Sequence, residues 1–307
     1  WLAAAAGAGL VTTAGGGPTP DHKGTLRVAP PAEAANSAPA FDIDGSDLTY
    51  TSDGRINGFD QYVYSVEVSD DGYTVIVLGN GTNNHTVSPA GNSTLSVFTR
   101  NPNTGELTLV QRFVQGAVND VNDANGIEIQ GLLSAASAVY SADGKHVYLV
   151  GQKAAGGNYF LTAFNVNADG TLTASSQSVE LGSVQIKQLV TSQDGHLYGI
   201  AGNTLYAYGI GVNGELTVSG VYDNQPFSTA STIEVDALGR VFVAGTNTLT
   251  IYAANPDGSL TQLVTRTGDV GNFARSIAVS GDYIYVSAGT NGILTLRFDP
   301  IAKTVTE

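Results

Sequence analysis

One phrase recurs along most of this chain and constrains its fold more than any single residue does: a Ser-Asp-Gly turn, an apolar strand, a second strand, a glycine turn and then Leu-Thr. The clearest copy opens at Ser141, Ala142, Asp143 and Gly144. It continues through His146 to Val150 and Phe160 to Phe164, turns at Asp169-Gly170 and reaches Leu172-Thr173. A unit this small cannot bury its own apolar face and must stack on neighbours of the same kind. The Leu-Thr step appears at Leu48, Leu107, Leu172, Leu216 and Leu260, with Val305-Thr306 as a weaker sixth copy. The last four intervals are 65, 44, 44 and 45 residues, the length of four short strands with their turns.

Each Leu-Thr step follows a turn signal: Asn103-Thr104-Gly105, Asp169-Gly170, Asn213-Gly214 and Asp257-Gly258. Asn and Asp tolerate left-handed backbone and Gly has no Cβ to clash there, which is what tight hairpins require. A second turn recurs upstream at Asp70-Asp71-Gly72, Asp143-Gly144, Asp194-Gly195, Leu238-Gly239 and Gly281-Asp282. The intervening segments, such as Tyr62 to Val68, Thr74 to Leu78, Arg240 to Ala244 and Tyr283 to Ser287, are short, β-branched and aromatic. Two hairpins per unit predict four antiparallel strands. The expected fold is therefore all-β, a β-propeller of six or seven four-stranded blades; a two-sheet sandwich would not need the same two turns at one phase.

The expected organisation is an N-terminal extension and linker over residues 1–39, holding at most a degenerate half of the first blade, followed by the propeller domain over residues 40–307. Phe41 to Thr49 aligns with Phe164 to Thr173, so five repeats are firm and one is degenerate. Either six blades close a ring, or a longer polypeptide supplies a further blade. Trp1 to Val11 is apolar, too short to span a bilayer and without the basic start of a signal peptide. With no Met in the chain, the sequence reads as a mature or truncated product. Its first 17 residues read as an export remnant or a strand given to a neighbouring subunit, hence self-assembly, or else as an inner strand of the first blade.

Thirteen Lys and Arg against 27 Asp and Glu give a net charge of −14, which excludes nucleic acid and anionic membranes as natural partners. The absence of cysteine removes disulfides, thiolate metal sites and a Cys nucleophile. Together with few lysines and abundant Gly, Asn, Ser and Thr, it points to an extracellular or cell-surface location.

Candidate chemistry is sparse. His22, His85, His146 and His196 show no metal-ligand spacing, and the shared phase of His146 and His196 just after the Asp-Gly turn reads as a packing choice on the repeat surface. Asp120, Asp123 and Asn125 place oxygen ligands along a turn-rich loop, so calcium is the one cofactor expected, if any. Asn80, Asn84 and Asn92 begin glycosylation sequons. The long insertion from Val114 to Leu133 has a length typical of functional loops. No nucleophile elbow, zinc-protease motif, P-loop or dinucleotide fingerprint is present, so the catalytic residues are unknown; a site drawing single residues from several blades would leave no local motif.

The run Gly131 to Tyr148 resembles the repeat of the lactonase-like and YVTN-type bacterial β-propellers, in which Gly-Leu and Ala precede a Ser-Pro-Asp-Gly-Lys turn and a Val-Tyr-Val strand. Asn101-Pro102-Asn103-Thr104-Gly105-Glu106-Leu107-Thr108 is similar to that family's second hairpin. The resemblance covers residues 40 to 307 and concerns blade-building positions, so it implies the fold first. It also implies two functions, since the family holds sugar-lactone hydrolases and surface or adhesin-like modules. No catalytic motif of the hydrolases aligns, and basic residues to grip a phosphosugar are few. The leading expectation is therefore a non-catalytic extracellular module, a surface, matrix or filament subunit contacting protein or glycan. The alternative is a lactone hydrolase with its site in the central channel.

Overall fold

The recurring turn explains itself at atomic level in the computed structural model, which describes residues 41–42, 47–50, 56–57, 62–80, 93–114, 131–223, 225, 227, 230–268, 270, 274–289 and 292–307. Ser141 Oγ donates to Asp143 Oδ1 at 2.6 Å and accepts from His146 N at 3.0 Å, while Asp143 Oδ1 accepts from Lys145 N at 3.1 Å. Burial alone would raise the Asp143 carboxyl, but the bonds from Ser141 and Lys145, with His146 and Lys145 nearby, hold it below its usual value. Ser69 with Asp71, and Ser192 with Asp194, repeat the arrangement. In the next repeat Asp236 does both jobs, accepting from Leu238 N at 3.0 Å and Arg240 N at 2.8 Å. A side-chain oxygen thus satisfies backbone donors in these four turns and sets the register of the strands that follow.

Two compact units result, residues 1–135 with 167–172, and residues 136–166 with 173–307. In the first, β1 (Phe41–Asp42), β2 (Asp47–Tyr50) and β3 (Ile56–Asn57) form a three-stranded sheet. Beside it in sequence, β4 (Tyr62–Val68), β5 (Thr74–Asn80), β6 (Ser93–Arg100) and β7 (Leu107–Val114) form a four-stranded one. β8 (Leu133–Tyr140), β9 (His146–Gln152), β10 (Tyr159–Val166) and β11 (Leu172–Gly182) form the next sheet. All but the head of β8 and the β10–β11 turn of that sheet belongs to the second unit. Two further sheets follow there: β12 (Gln188–Thr191), β13 (His196–Ala201), β14 (Thr204–Ile210) and β15 (Leu216–Tyr222), then β16 (Ala230–Val235), β17 (Arg240–Gly245), β18 (Thr248–Ala254) and β19 (Leu260–Thr267). The last comprises β20 (Ile277–Ser280), β21 (Tyr283–Ser287), β22 (Ile293–Asp299) and β23 (Thr304–Thr306). The described residues are thus all-β, with antiparallel four-stranded sheets whose strands pair in sequence order and no α-helix.

Pairing in sequence order gives each four-stranded sheet two different ends. The turns joining first to second and third to fourth strands share a turn end; the loops joining second to third strands, and the connections between sheets, share a loop end.

Packing repeats as the sequence does. Phe98, Phe164, Tyr208 and Tyr252 occupy one position of the third strand in four of the four-stranded sheets, Leu296 takes it in the last, and all are buried. Within the second unit the apolar clusters span neighbouring sheets. One joins Val190 and Tyr198 to Ile233 and Val241, and another joins Phe242 and Ile251 to Ile284 and Phe298. Each such side chain stabilises the fold by about 1.5–3 kcal/mol relative to exposure.

The sheets are also keyed at their turn ends. At Thr74, His146 and His196 the first residue of a second strand is buried and rests on the third-to-fourth-strand turn of the following repeat. A Cβ on Gly214 would lie 2.5 Å from His146 Nδ1, one on Gly258 2.5 Å from His196 Nδ1, and, within the first unit, one on Gly170 2.7 Å from Thr74 Cγ2. These glycines have φ of 81°, 80° and 84°, so both backbone conformation and close approach require them. His146 and His196 are therefore buried joints between sheets, not surface choices; they are buried because the next repeat offers a turn with no side chain. Gln188 adds a clamp between first strands, its Nε2 donating to Ile233 O at 3.1 Å and its Oε1 accepting from Ile233 N at 3.2 Å.

Gly214→Ala should lose about 1–2 kcal/mol from left-handed backbone and a further 1–3 or so from displacing the His146 ring. Gly144→Ala, at φ 68° in open space, should lose only the first; urea unfolding of the two variants measures the difference. Alkali should also unfold the protein. Burial raises the hydroxyls of Tyr148, Tyr198, Tyr208 and Tyr252 above their ordinary value of 10.0, while in the unfolded chain they ionise at that value. Stability is thus full below about pH 10 and falls as pH rises beyond it. The share of tyrosinate absorbance that belongs to these four buried tyrosines should appear together with loss of far-ultraviolet sheet signal, not before it.

Candidate functional site

The groups most suggestive of chemistry at the turn end are occupied by structure. Arg240, buried at the head of β17, donates from Nε to Asp236 Oδ2 at 2.6 Å, from Nη1 to Asp282 Oδ1 at 3.2 Å and from Nη2 to Gly281 O at 2.7 Å. Its guanidinium lies 5.6 Å from the Phe242 ring centroid and 5.3 Å from that of Phe298. This joins two sheets and buries the guanidinium between them. His146 and His196 are seated on Gly214 and Gly258, and His146 Nδ1 lies 3.1 Å from Asn165 Oδ1. Asp143, Asp194, Glu215, Asp236, Asp257, Asp282 and Asp299 all stand at the turn end of the second unit, where an anionic substrate or product would be repelled.

Among the described residues the loop end of the second unit is less acidic. Lys153, Lys187, Arg266 and Arg275 stand there against Glu180, Asp223 and Glu307. Arg266 is paired with Glu307 at 3.0 Å, Glu180 accepts from Asn158, Asp223 accepts from Thr204 Oγ1 at 2.9 Å, and Lys153 Nζ lies 3.9 Å above the Phe160 ring. Lys187 and Arg275 are exposed and share one phase of the repeat, each just ahead of a first strand, β12 and β20. β16 lies between these strands, in contact with both. Ser276 beside Arg275 is fixed by Ser287, whose Oγ accepts from Ser276 N at 2.9 Å and from Arg275 N at 3.1 Å. The backbone carrying Arg275 is thus held while its side chain is presented to solvent. Two exposed cations at one end of first strands separated by β16 can each bind a carboxylate or phosphate, or stabilise charge growing on a carbonyl oxygen.

The expected calcium ligands Asp120, Asp123 and Asn125 lie outside the described residues, as do His22, His85, Asn84, Asn92 and residues 1–39; Asn80 is the last residue of β5. Among the described residues no three His, Cys, Asp or Glu side chains gather as a metal site, and no helix is long and apolar enough to cross a membrane. Lys187 and Arg275 were not singled out by motif; their common phase in the aligned repeats is the signal that finds them.

No family model and no curated protein matches the chain. Solved structures do. A Bacteroides uniformis protein provisionally assigned as a 6-phosphogluconolactonase matches with a TM-score of 0.52 at 15% identity, over 85% of this chain and 86% of that one. A Lactobacillus plantarum protein matches with a TM-score of 0.56 at 15% identity over 76% of this chain, which spans 65% of that protein. The periplasmic gluconolactonase of Pseudomonas aeruginosa matches at 14% identity over 85% and 90%, with a TM-score of 0.45. The chain therefore has a lactonase-like fold.

This corrects the leading expectation from sequence. A non-catalytic surface, matrix or filament module, with the adhesive, extracellular role attached to it, finds no counterpart among these structures, whereas a lactone hydrolase does. The sequence favoured the module because no catalytic motif was visible, and in a repeat fold that silence carries little weight.

If Lys187 and Arg275 serve a ligand rather than the fold, Lys187→Ala and Arg275→Ala should each change stability by no more than about 0.5 kcal/mol in denaturant titrations, as exposed substitutions do.

Proposed function

We propose that the chain is a lactone hydrolase of the YVTN-type lactonase-like family, a propeller of six or seven four-stranded blades. Its site lies at the loop end of the first strands of the second unit. The observation that supports it most is the fold match to a provisionally assigned 6-phosphogluconolactonase along 85% of the chain. Hydrolysis of a sugar lactone adds water to the ring carbonyl. The acyl C–O bond breaks, the oxygen of water stays on carbon as the new carboxylate, and the leaving oxygen takes a proton to become a hydroxyl. Negative charge grows on the carbonyl oxygen before that bond breaks, so Lys187 and Arg275 are placed to stabilise it or to hold the carboxylate formed. With Arg266 engaged by Glu307 and Lys153 lying over Phe160, this end fits an unphosphorylated sugar lactone better than a phosphorylated one. Calcium held by Asp120, Asp123 and Asn125 and an exported location, read from a cysteine-free and lysine-poor composition, belong to the same proposal.

Glucono-lactone hydrolysis should run above its spontaneous rate, and faster than that of its 6-phosphate. Lys187→Ala and Arg275→Ala should each lower kcat/KM about tenfold, the equivalent of one charge-assisted hydrogen bond of roughly 1.4 kcal/mol. Repeating the assay after chelation reads any calcium requirement. No acceleration of either lactone, with or without calcium, rejects the reading.

A further inference from the structure

One third-to-fourth-strand turn inverts the chemistry of its counterparts. In the turns over 167–171 and 255–259 the third residue is an aspartate that accepts from the fifth. Asp169 Oδ1 accepts from Thr171 N at 3.0 Å and Thr171 Oγ1 at 2.6 Å, and Asp257 Oδ1 accepts from Ser259 N at 3.0 Å and Ser259 Oγ at 2.6 Å. In the turn over 211–215 the amide stands third and the carboxylate fifth. Glu215 Oε1 accepts from Asn213 Nδ2 at 2.9 Å, and Glu215 Oε2 from Asn213 N at 3.2 Å. The bond from the Asn213 amide is the first cause holding the Glu215 carboxyl below its usual value, so it is ionised at neutral pH. Gly211 takes the place of the Asn167 and Asn255 that open the other two turns because the carboxylate lies against it: a Cβ there would meet Glu215 Oε2 at 2.6 Å.

Asparagine followed by glycine is chemically labile, because a glycine nitrogen with no Cβ beside it reaches the side chain in front of it. The Gly214 nitrogen loses its proton and attacks Asn213 Cγ. The bond from Cγ to Nδ2 breaks and ammonia leaves, closing a succinimide ring. Water then opens the ring at one carbonyl or the other, leaving aspartate or the isomer whose main chain runs through the side-chain carbon. Two features of this turn oppose ring closure. The Gly214 N–H donates to Gly211 O at 2.9 Å and must leave that acceptor before it reacts. The Asn213 amide is tied to Glu215, whose negative charge also disfavours loss of a proton from the neighbouring backbone nitrogen.

We propose that Asn213 is a site of spontaneous deamidation that Glu215 holds in check, and that its conversion loosens the seat of His146 on Gly214. The product sets a second carboxylate against Glu215, where Asp169 and Asp257 each face a hydroxyl. The turn then loses the bond from the side-chain amide and gains a repulsion. The isomer also lengthens the main chain next to Gly214, on which the His146 ring rests and whose carbonyl accepts from Tyr148 Oη at 3.2 Å. A joint with no room for an added Cβ has none for that shift. Chemistry at one turn thereby reaches the packing of β9 on the turn between β14 and β15.

Peptide mapping by mass spectrometry, on the full chain held in warm neutral buffer, reads the rate. Conversion at Asn213 should be at least about tenfold slower in the folded chain than in the same chain unfolded in guanidinium chloride. Glu215→Ala should remove most of that protection, and Glu215→Gln, which keeps an acceptor without the charge, should lie between. Asn213→Asp should lower the denaturant midpoint, and adding Glu215→Thr, which rebuilds the pairing of Asp169 with Thr171, should restore it. Equal rates in the folded and unfolded chain, an unchanged rate in the folded Glu215 variants, or Asn213→Asp as stable as the parent chain overturns the proposal. Glu215→Gln and the Asn213→Asp pair keep the test decisive where Glu215→Ala fails to fold.

Discussion

Most of this structure depends on one contact: a side chain at the head of a second strand, set against the bare backbone of a glycine turn in the next repeat. Apolar burial between sheets supplies the larger energy, but area is indifferent to sliding. The seat of His146 on Gly214 and of His196 on Gly258 fixes where one sheet meets the next, because a ring within contact of backbone tolerates no shift of an ångström. The same side chains sit immediately after the Ser-x-Asp turns whose hydrogen bonds hold their backbone. Local turn chemistry and long-range registration therefore meet in one residue.

That dependence divides the molecule. The turn end carries the joints, and with them the carboxylates that cap turns and accompany His146, His196 and Arg240; its residues answer to folding. The loop end joins its sheets through long side chains instead, Gln188 on Ile233 and Arg266 on Glu307. The charge distribution follows this division: carboxylates crowd where turns need acceptors, leaving Lys187 and Arg275 among the less acidic surroundings of the opposite end. The less acidic end is thus a by-product of where the fold places its aspartates.

The strands and turns were legible in the sequence because the Asp-Gly and Asn-Gly signals and the Ser-x-Asp acceptors act within a few residues, and distance along the chain does not dilute them. The burial of His146 and His196 was not, since it depends on glycines in the following repeat. Nor was Arg240 legible as a joint: its turn reads Asp236-Ala237-Leu238-Gly239, and only the structure shows Asp236 taking the place of both Ser and Asp. The candidate site was legible least. Lys187 and Arg275 are lone basic residues far apart in sequence, and share one end of the stacked sheets only through the repeat. The reading of a non-catalytic module arose from that same dispersal.

The joints differ in kind from one to the next. Threonine fills the first and histidine the next two, each on a glycine of a third-to-fourth-strand turn, while arginine with two aspartates fills the fourth on the turn between β20 and β21. Each junction is therefore keyed to its own pair of neighbours. Repeats of this chain are not interchangeable parts: one moved by recombination to another place in the order would bring a guanidinium to a socket without acids, or an imidazole to one built for two. The array can change by substitution within a repeat far more readily than by shuffling, and its length is locked by chemistry at the turns as firmly as by the burial between its sheets.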